Sequence, residues 1–495
     1  MKKIFDTLKL IYFPFLLAFF AVSCSDDEIE IKQYIHLDSN SFTFDYKGKN
    51  TCTLTISSSP EWEVQLDADW VTVSDRTENS LTLAATPNET EGIRRGTITL
   101  KAGNAEETIY VSQLYKFELS KFKIFDEFSR VSSAVVMSHS GRYIAGLDFY
   151  SVYNWQTYEQ YYSYTPIIID LETGEVKVYK PIENRALSLK AVSDDGETLL
   201  IGETFKWFGC FRKDEFIDLP VPEEMDASDC FVDTFSADGS IIYGYGRKKG
   251  GKRYYPVCWT NGVDKIMALQ EVDGHGAAMG NDISGGNRIL GCSADGSVAY
   301  GVDQNSNKCV LWDQSGIHFV GEEEYHTVEG QIDLSDWGYG IVDAILYNQC
   351  EVSFVAEGRM SSNGKYIAMR YYKGDIVDMW YDDSYHPVRF NTETGKVEIF
   401  EDIVNMSGLT VDDEGIMYLM TETPRNSTPQ SEQTGMVYDP ATGTLVTCKE
   451  WVRQKYGIIV PDIQIVKVAS NGNILANTYV SDDGSLRPVQ CLIIP

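Results

Sequence analysis

Two stretches of this chain interleave aromatic rings with carboxylates and amides, the mixture that a sugar-binding surface needs. The first runs from Asp148 to Tyr164 and holds Tyr153, Trp155, Tyr158 and Tyr162 among Asn154, Gln156, Glu159 and Gln160. The second runs from Tyr371 to Tyr385 and holds Tyr372, Trp380 and Tyr381 among Asp375, Asp378, Asp382 and Asp383. Flat apolar ring faces stack on the C–H faces of a pyranose, while neighbouring polar groups orient its hydroxyls. These seven aromatics are the candidate ligand-binding residues. The plainer alternative is a pair of long hairpins whose aromatics pack on one another across the strands.

Catalytic chemistry has less to stand on. The six histidines, His36, His139, His275, His318, His326 and His386, form no pair at metal-ligand spacing. Glu322-Glu323-Glu324-Tyr325-His326 could hold a cation, but such a run also reads as a solvated loop. Asp273-Gly274-His275-Gly276, followed by Gly280 and Gly285-Gly286, lacks the Lys-Ser/Thr of a phosphate loop. No calcium loop and no sialidase-type Ser-x-Asp-x-Gly-x-x-Trp box is present. The expectation is therefore no metal, no cofactor and no named catalytic residue. Paired carboxylates for glycoside cleavage need only be near in space, so an enzyme stays open as a class.

The elements that would carry these stretches are set by a recurring phrase. Val192-Ser193-Asp194-Asp195-Gly196, Phe235-Ser236-Ala237-Asp238-Gly239 and Cys292-Ser293-Ala294-Asp295-Gly296 each end one apolar run and begin another. Looser copies end at Gly141, Gly364, Gly415 and Gly472, giving a mean period of about 55 residues. Within a period two strands flank the Asp-Gly turn, and a third often opens on proline, as in Pro166-Ile167-Ile168-Ile169 and Pro256-Val257-Cys258-Trp259. A Thr-Gly or Asn-Gly turn then leads to a fourth. Four antiparallel strands per period make one propeller blade. Seven blades are expected, resembling at fold level the WD- and Kelch-type rings. The last period lacks its fourth strand, and Lys121 to Phe125 reads like one, so residues 121–125 are expected to pair with the last blade and close the ring. With strands lettered A to D outward from the axis, the Asp-Gly and Thr-Gly turns share one face. The variable B-to-C connections, which include both aromatic stretches, share the other.

Ahead of the propeller, expected over 116–495, residues 35–115 alternate as a small β-sandwich of roughly seven strands, as in Thr51-Cys52-Thr53-Leu54-Thr55-Ile56. Its landmarks are Pro60-Glu61-Trp62, Asp69-Trp70-Val71, Pro87-Asn88, Arg94-Arg95-Gly96 and Val111-Ser112-Gln113. In that order they resemble the BACON family of immunoglobulin-like domains, for which both carbohydrate binding and a spacer role are implied. Trp62 and Trp70 lie in alternating strands and read first as core. The fold class is thus all-β, a sandwich followed by a propeller.

Residues 1–23 carry Lys2-Lys3, an apolar run from Leu10 to Val22 and then small residues, the pattern of a secretory signal. Ala21-Val22-Ser23-Cys24 resembles a bacterial lipobox, which implies cleavage before Cys24 and lipidation of its thiol; ordinary cleavage is the alternative. Ser25-Asp26-Asp27-Glu28, opening an acidic linker over 24–34, resembles the export signal of Bacteroidetes surface lipoproteins. That resemblance implies the outer membrane, facing the cell exterior. The chain holds 73 acidic against 42 basic residues, a formal charge of −31, which argues against a nucleic-acid partner. Of ten cysteines, nine remain if Cys24 is lipidated, and an odd number leaves at least one thiol unpaired. Most lie in apolar runs, as in Val257-Cys258-Trp259, where Cys acts as a small hydrophobe.

Together these features give a leading expectation and two rivals. The leading one is an outer-membrane surface lipoprotein that binds glycan or another cell-surface ligand on the propeller's loop face. Its expected partners are the membrane, through lipid on Cys24, glycan, and proteins of a TonB-dependent transporter system. The rivals are a non-catalytic scaffold for envelope complexes and a propeller glycosidase or polysaccharide lyase.

Overall fold

Strand follows strand along this chain because β-branched and aromatic runs are cut every few residues by glycine-bearing turns. The computed structural model describes residues 33–59, 61–90, 92–116, 120–125, 135–154, 159–203, 208–213, 215–251, 254–260, 263–266, 287–303, 309–313, 316–320, 326–333, 341–349, 353–355, 359–372, 385–421, 434–482 and 485–495. The lipobox with Cys24, the acidic run after it, Trp155, Tyr158, Trp380, Tyr381, the glycine-rich stretch and Glu322 to Glu324 lie outside them.

The N-terminal sandwich has eight strands where about seven were expected. One sheet orders Tyr34–Leu37, Cys52–Ser59, Ser80–Ala85 and Val71–Arg76; the other orders Ser41–Phe44, Ala105–Gln113, Arg94–Ala102 and Glu63–Leu66. Trp62 and Trp70 are both buried, as their alternation implied. The Trp62 indole N–H donates to the Glu78 carbonyl at 2.8 Å, and the Arg76 guanidinium covers its ring at 4.0 Å. Two further landmarks meet, since the Arg94 guanidinium donates to the Gln113 side-chain oxygen at 2.9 and 2.6 Å.

The rest of the described chain is dominated by seven four-stranded antiparallel sheets, numbered here in chain order. Sheet 1 comprises Val135–Met137, Tyr143–Asn154, Glu159–Asp170 and Val176–Val178, with Ile182–Glu183 added to its third strand. Sheets 2 to 4 begin at Leu187–Val192, Met225–Phe235 and Asn287–Cys292, and sheets 5 to 7 at Ser353–Val355, Met406–Val411 and Gln464–Val468. A two-stranded hairpin, His326–Asp333 with Ile341–Gln349, falls between sheets 4 and 5 and was not anticipated. The helix Cys448–Tyr456 was also unforeseen. Thr447 caps it by accepting from the Glu450 N–H, Gly457 ends it in the left-handed region, and Cys448 and Val452 are its buried side.

Second strands of these sheets are apolar without alternation, as in Leu199, Leu200 and Ile201, all fully buried. Both faces are covered because the sheets stack on one another. Leu147 packs with Leu199 between sheets 1 and 2, and Leu200 with Trp259 between 2 and 3. Tyr243 with Val310, Leu311 with Val388, and Ala368 with Leu419 continue the series. Val437 with Ile465 links sheets 6 and 7, and Leu475 with Ile144 returns to sheet 1. The last strand of sheet 7 is Phe122–Ile124, with Phe122 opposite Ile493, Lys123 opposite Leu492 and Ile124 opposite Cys491. The expected closure by residues 121–125 is therefore found.

Candidate functional site

The turns that organise the sheets also organise the axis. In the phrase at Ser293 the hydroxyl donates to Asp295 at 2.6 Å and accepts from the Val298 N–H at 3.1 Å, while Asp295 accepts from Ser297. The turn glycines take positive φ, +68° at Gly239 and +76° at Gly364, which L residues rarely adopt. The residue after each serine then links its turn to the next. Asp194 donates its N–H to the Ala237 carbonyl, Ala237 to Ala294, Ala294 to Ser362, and Ser470 to His139. At the other three junctions a carboxylate takes over: Ser140 N–H donates to Asp194, Asn363 N–H to Asp413, and the Ser470 hydroxyl to Asp413. The result is a closed belt of hydrogen bonds through all seven turns.

Inside the belt the first strands surround a cavity of about 810 Å³. Counting back five residues from each turn glycine gives Val136, Ala191, Thr234, Gly291, Arg359, Thr410 and Lys467, and all seven line it. A β-bulge helps to aim them. In sheets 2, 3, 4, 6 and 7 the register slips near the turn, leaving Lys190, Asp233, Leu290, Leu409 and Val466 as extra residues, and sheet 3 has a second slip between Met225 and Cys230. A bulge lets two successive side chains face one way, and Lys190, Asp233, Leu290 and Val466 join their neighbours on the wall. At the turn end the His139 ring lies against the backbone of Phe235 and Ser362, and the Ser362 hydroxyl donates to the Val468 carbonyl. Both contacts join turns that are not neighbours in chain order.

Charge inside the cavity runs opposite to the chain as a whole. Its lining holds Lys190, Arg359, Lys467 and Arg487 against the single carboxylate of Asp233, in a protein of formal charge −31. Lys190 and Asp233 pair at 3.4 Å. Lys467 donates to the Met137 carbonyl at 2.5 Å, and among the described residues no carboxylate bonds to it or to Arg359. Burial, and then the charge of Arg359, push the Lys467 ammonium down to about 8. Burial likewise holds the His139 imidazole near 3, so it is neutral in ordinary buffers, and its Nδ1 has no hydrogen-bond partner. Cys292 is pushed up to about 12 by burial. A thiol so protonated is a poor nucleophile, and the wall carries more cationic than anionic side chains. Among the described residues no group of three His, Cys, Asp or Glu side chains is arranged to hold a metal ion.

The loop side carries the first aromatic stretch. It forms a twelve-residue hairpin from Tyr143 paired with Asp170 out to Asn154 paired with Glu159. Register puts Phe149 opposite Tyr164, Ser151 opposite Tyr162 and Tyr153 opposite Gln160, all on one face. Tyr164 is buried, Phe149 and Tyr162 are half-buried, and Tyr153 is 40% exposed. Ring centroids lie 4.8 Å apart for Phe149 and Tyr164, and 6.1 Å for Tyr162 and Tyr164. The inner rings thus pack as the plainer alternative has it, while Tyr153 keeps part of its surface exposed. Tyr372 lies at the end of Tyr366–Tyr372, opposite Tyr385.

Sequence reading passed over a third aromatic group, in sheet 3. Phe231 stacks on Tyr245 at 5.2 Å and Tyr254 meets Tyr245 edge-on at 5.3 Å. Arg247 covers Tyr254, whose hydroxyl donates to Asp229 at 3.0 Å. It also passed over Arg359 and Lys467, although their shared distance from the turn glycine was available.

Residues 60–114 match the BACON family model, described as "Putative binding domain, N-terminal". No curated protein matches the chain. Among solved structures it is similar to an oligogalacturonate lyase from Vibrio parahaemolyticus, with 11% identity, a TM-score of 0.41, and 73% of this chain and 98% of that one covered. The β-propeller domain of Cps50 from Myceliophteria thermophila gives 11%, 0.39, 76% and 100%. The β-propeller domain of the Trilobed protease from Pyrococcus furiosus gives 9%, 0.36, 72% and 96%.

Proposed function

We propose that this protein is a seven-bladed, surface-exposed lipoprotein that binds glycan on the loop face of its propeller. The observation that carries the reading is the graded aromatic ladder of sheet 1, anchored by Tyr164 and Phe149 and ending at Tyr153. A ring fixed at its root presents a flat face with little conformational entropy left to lose on binding. The Phe231–Tyr245–Tyr254 group adds rings beside the polar Asp229 and Arg247. In this reading lipid on Cys24 holds the chain to the outer membrane, facing the exterior, beside a TonB-dependent transporter system. Trp155, Tyr158, Trp380 and Tyr381, outside the described residues, belong to this reading as further ligand contacts.

The test is affinity electrophoresis of the chain from Ser25 onward against a panel of polysaccharides. At least one glycan should retard wild type. Tyr153→Ala and a Trp155→Ala/Trp380→Ala pair should abolish that retardation, and Tyr153→Ala should shift stability by no more than about 0.5 kcal/mol. Retardation unchanged in folded variants would remove the platform.

A further inference from the structure

We propose that the central cavity is a receptor for an oxyanionic group of the ligand, a sugar carboxylate or sulfate, held between Arg359 and Lys467. Arg359 follows the first strand of sheet 5 and Lys467 lies in that of sheet 7, each five residues before its turn glycine, Gly364 or Gly472, with Thr410 of sheet 6 at the same distance from Gly415. They face one cavity, and each lies within the other's electrostatic reach. Elsewhere on the same tier the wall is Val136, Ala191, Thr234 and Gly291, which offer no countercharge.

Lys467 is withdrawn from bulk water while Arg359 is exposed, and a withdrawn charge left unpaired forfeits hydration. One tier away Lys190 is matched by Asp233. Asp194, which also acts on Lys467, is held by the Ser140 N–H in the belt. The chain holds 73 carboxylates, and among the described residues none bonds to either cation. An incoming oxyanion would supply the missing charge, taking a forked contact from the guanidinium and a single bond from the ammonium. Thr234 and Thr410 stand on the same tier as hydroxyl donors. In this proposal the anion enters from the loop side, the side of Tyr153. The sugar part of the proposal rests on the glycan reading above; the anion site does not.

The test is calorimetric titration of the full chain in neutral detergent with glucuronate, with inorganic sulfate and with glucose. Glucuronate should bind and glucose should not. Arg359→Gln and Lys467→Met should each weaken glucuronate at least tenfold, and Lys467→Arg should restore it if Lys467→Met perturbs folding. Glucuronate bound by a wild type that no polysaccharide retards would sink the platform and not this site. Binding of sulfate but not glucuronate would overturn the sugar acid as ligand. Binding of neither, or equal binding by folded Arg359→Gln and Lys467→Met, would overturn the receptor altogether.

Discussion

Lys467 is held charged at neutral pH in a place that resists its charge, and that has a measurable signature. Burial and the Arg359 guanidinium bring its pKa to about 8, against an ordinary 10.5. Around it the cavity presents Lys190, Asp233, His139 and Cys292, with Asp194 from the belt acting on it as well. Between pH 8 and 10.5 the unfolded chain holds this proton and the folded one does not. Stability therefore rises with pH through that window, and below it the penalty is constant. Lys467→Met should accordingly stabilise the protein at pH 7 by about 1–3 kcal/mol and flatten the alkaline slope, read by chemical denaturation at pH 7 and 10. A bound anion reverses the sign, since it favours the protonated amine, so glucuronate affinity should fall as pH rises past 8. A variant no more stable than wild type at pH 7 would show that the ammonium is already well solvated or paired.

At the scale of elements, the Ser-x-Asp-Gly turn does three jobs with four residues. Its serine and aspartate cap the turn, its glycine supplies the positive φ, and the residue between them links one sheet to the next. Ser293→Ala should remove the acceptor for the Val298 N–H and the donor to Asp295, lowering stability by about 1–2 kcal/mol in denaturant melts. Asp238 and Asp295 sit below the usual carboxylate range, each held there first by its serine hydroxyl. Their contribution is present above pH 4 and lost as pH falls through their lowered pKa values, so the Ser293→Ala deficit should shrink in acid. This turn was legible in the sequence because its chemistry is local. The binding wall was not, because which side chains face the axis depends on a bulge and on seven strands brought together by the ring. Arg359 and Lys467 stand 108 residues apart and carry no motif of their own; only their distance from the glycine gives them away. The helix Cys448–Tyr456 had local signals in Thr447 and Gly457, but the strand period on either side masked them.

For the whole molecule, the ring depends on one join between distant parts of the chain. The pairing of Phe122–Ile124 with the strand Ser485–Ile493 covers an edge that would otherwise expose a row of backbone donors and acceptors. Phe122 and Ile124 also pack against the apolar cluster between sheets 6 and 7 that includes Cys491 and Ile493. At the other edge of the same sheet the belt of turns passes from Ser470 to His139 of sheet 1, and Lys467 reaches the Met137 carbonyl. The anion wall and the closing strand are therefore the two edges of one sheet. Replacing both Phe122 and Ile124 by aspartate should break the apolar anchor while leaving the turns intact. The expected result is a melting temperature lower by several degrees and concentration-dependent oligomers in light scattering, as the bared strand finds another copy. Glucuronate binding should weaken in step, because Lys467 lies in the first strand of the sheet whose fourth strand is loosened. A double variant that stays monomeric, melts as wild type and keeps its affinity would mean that the six other sheet junctions and the belt hold the ring without this strand.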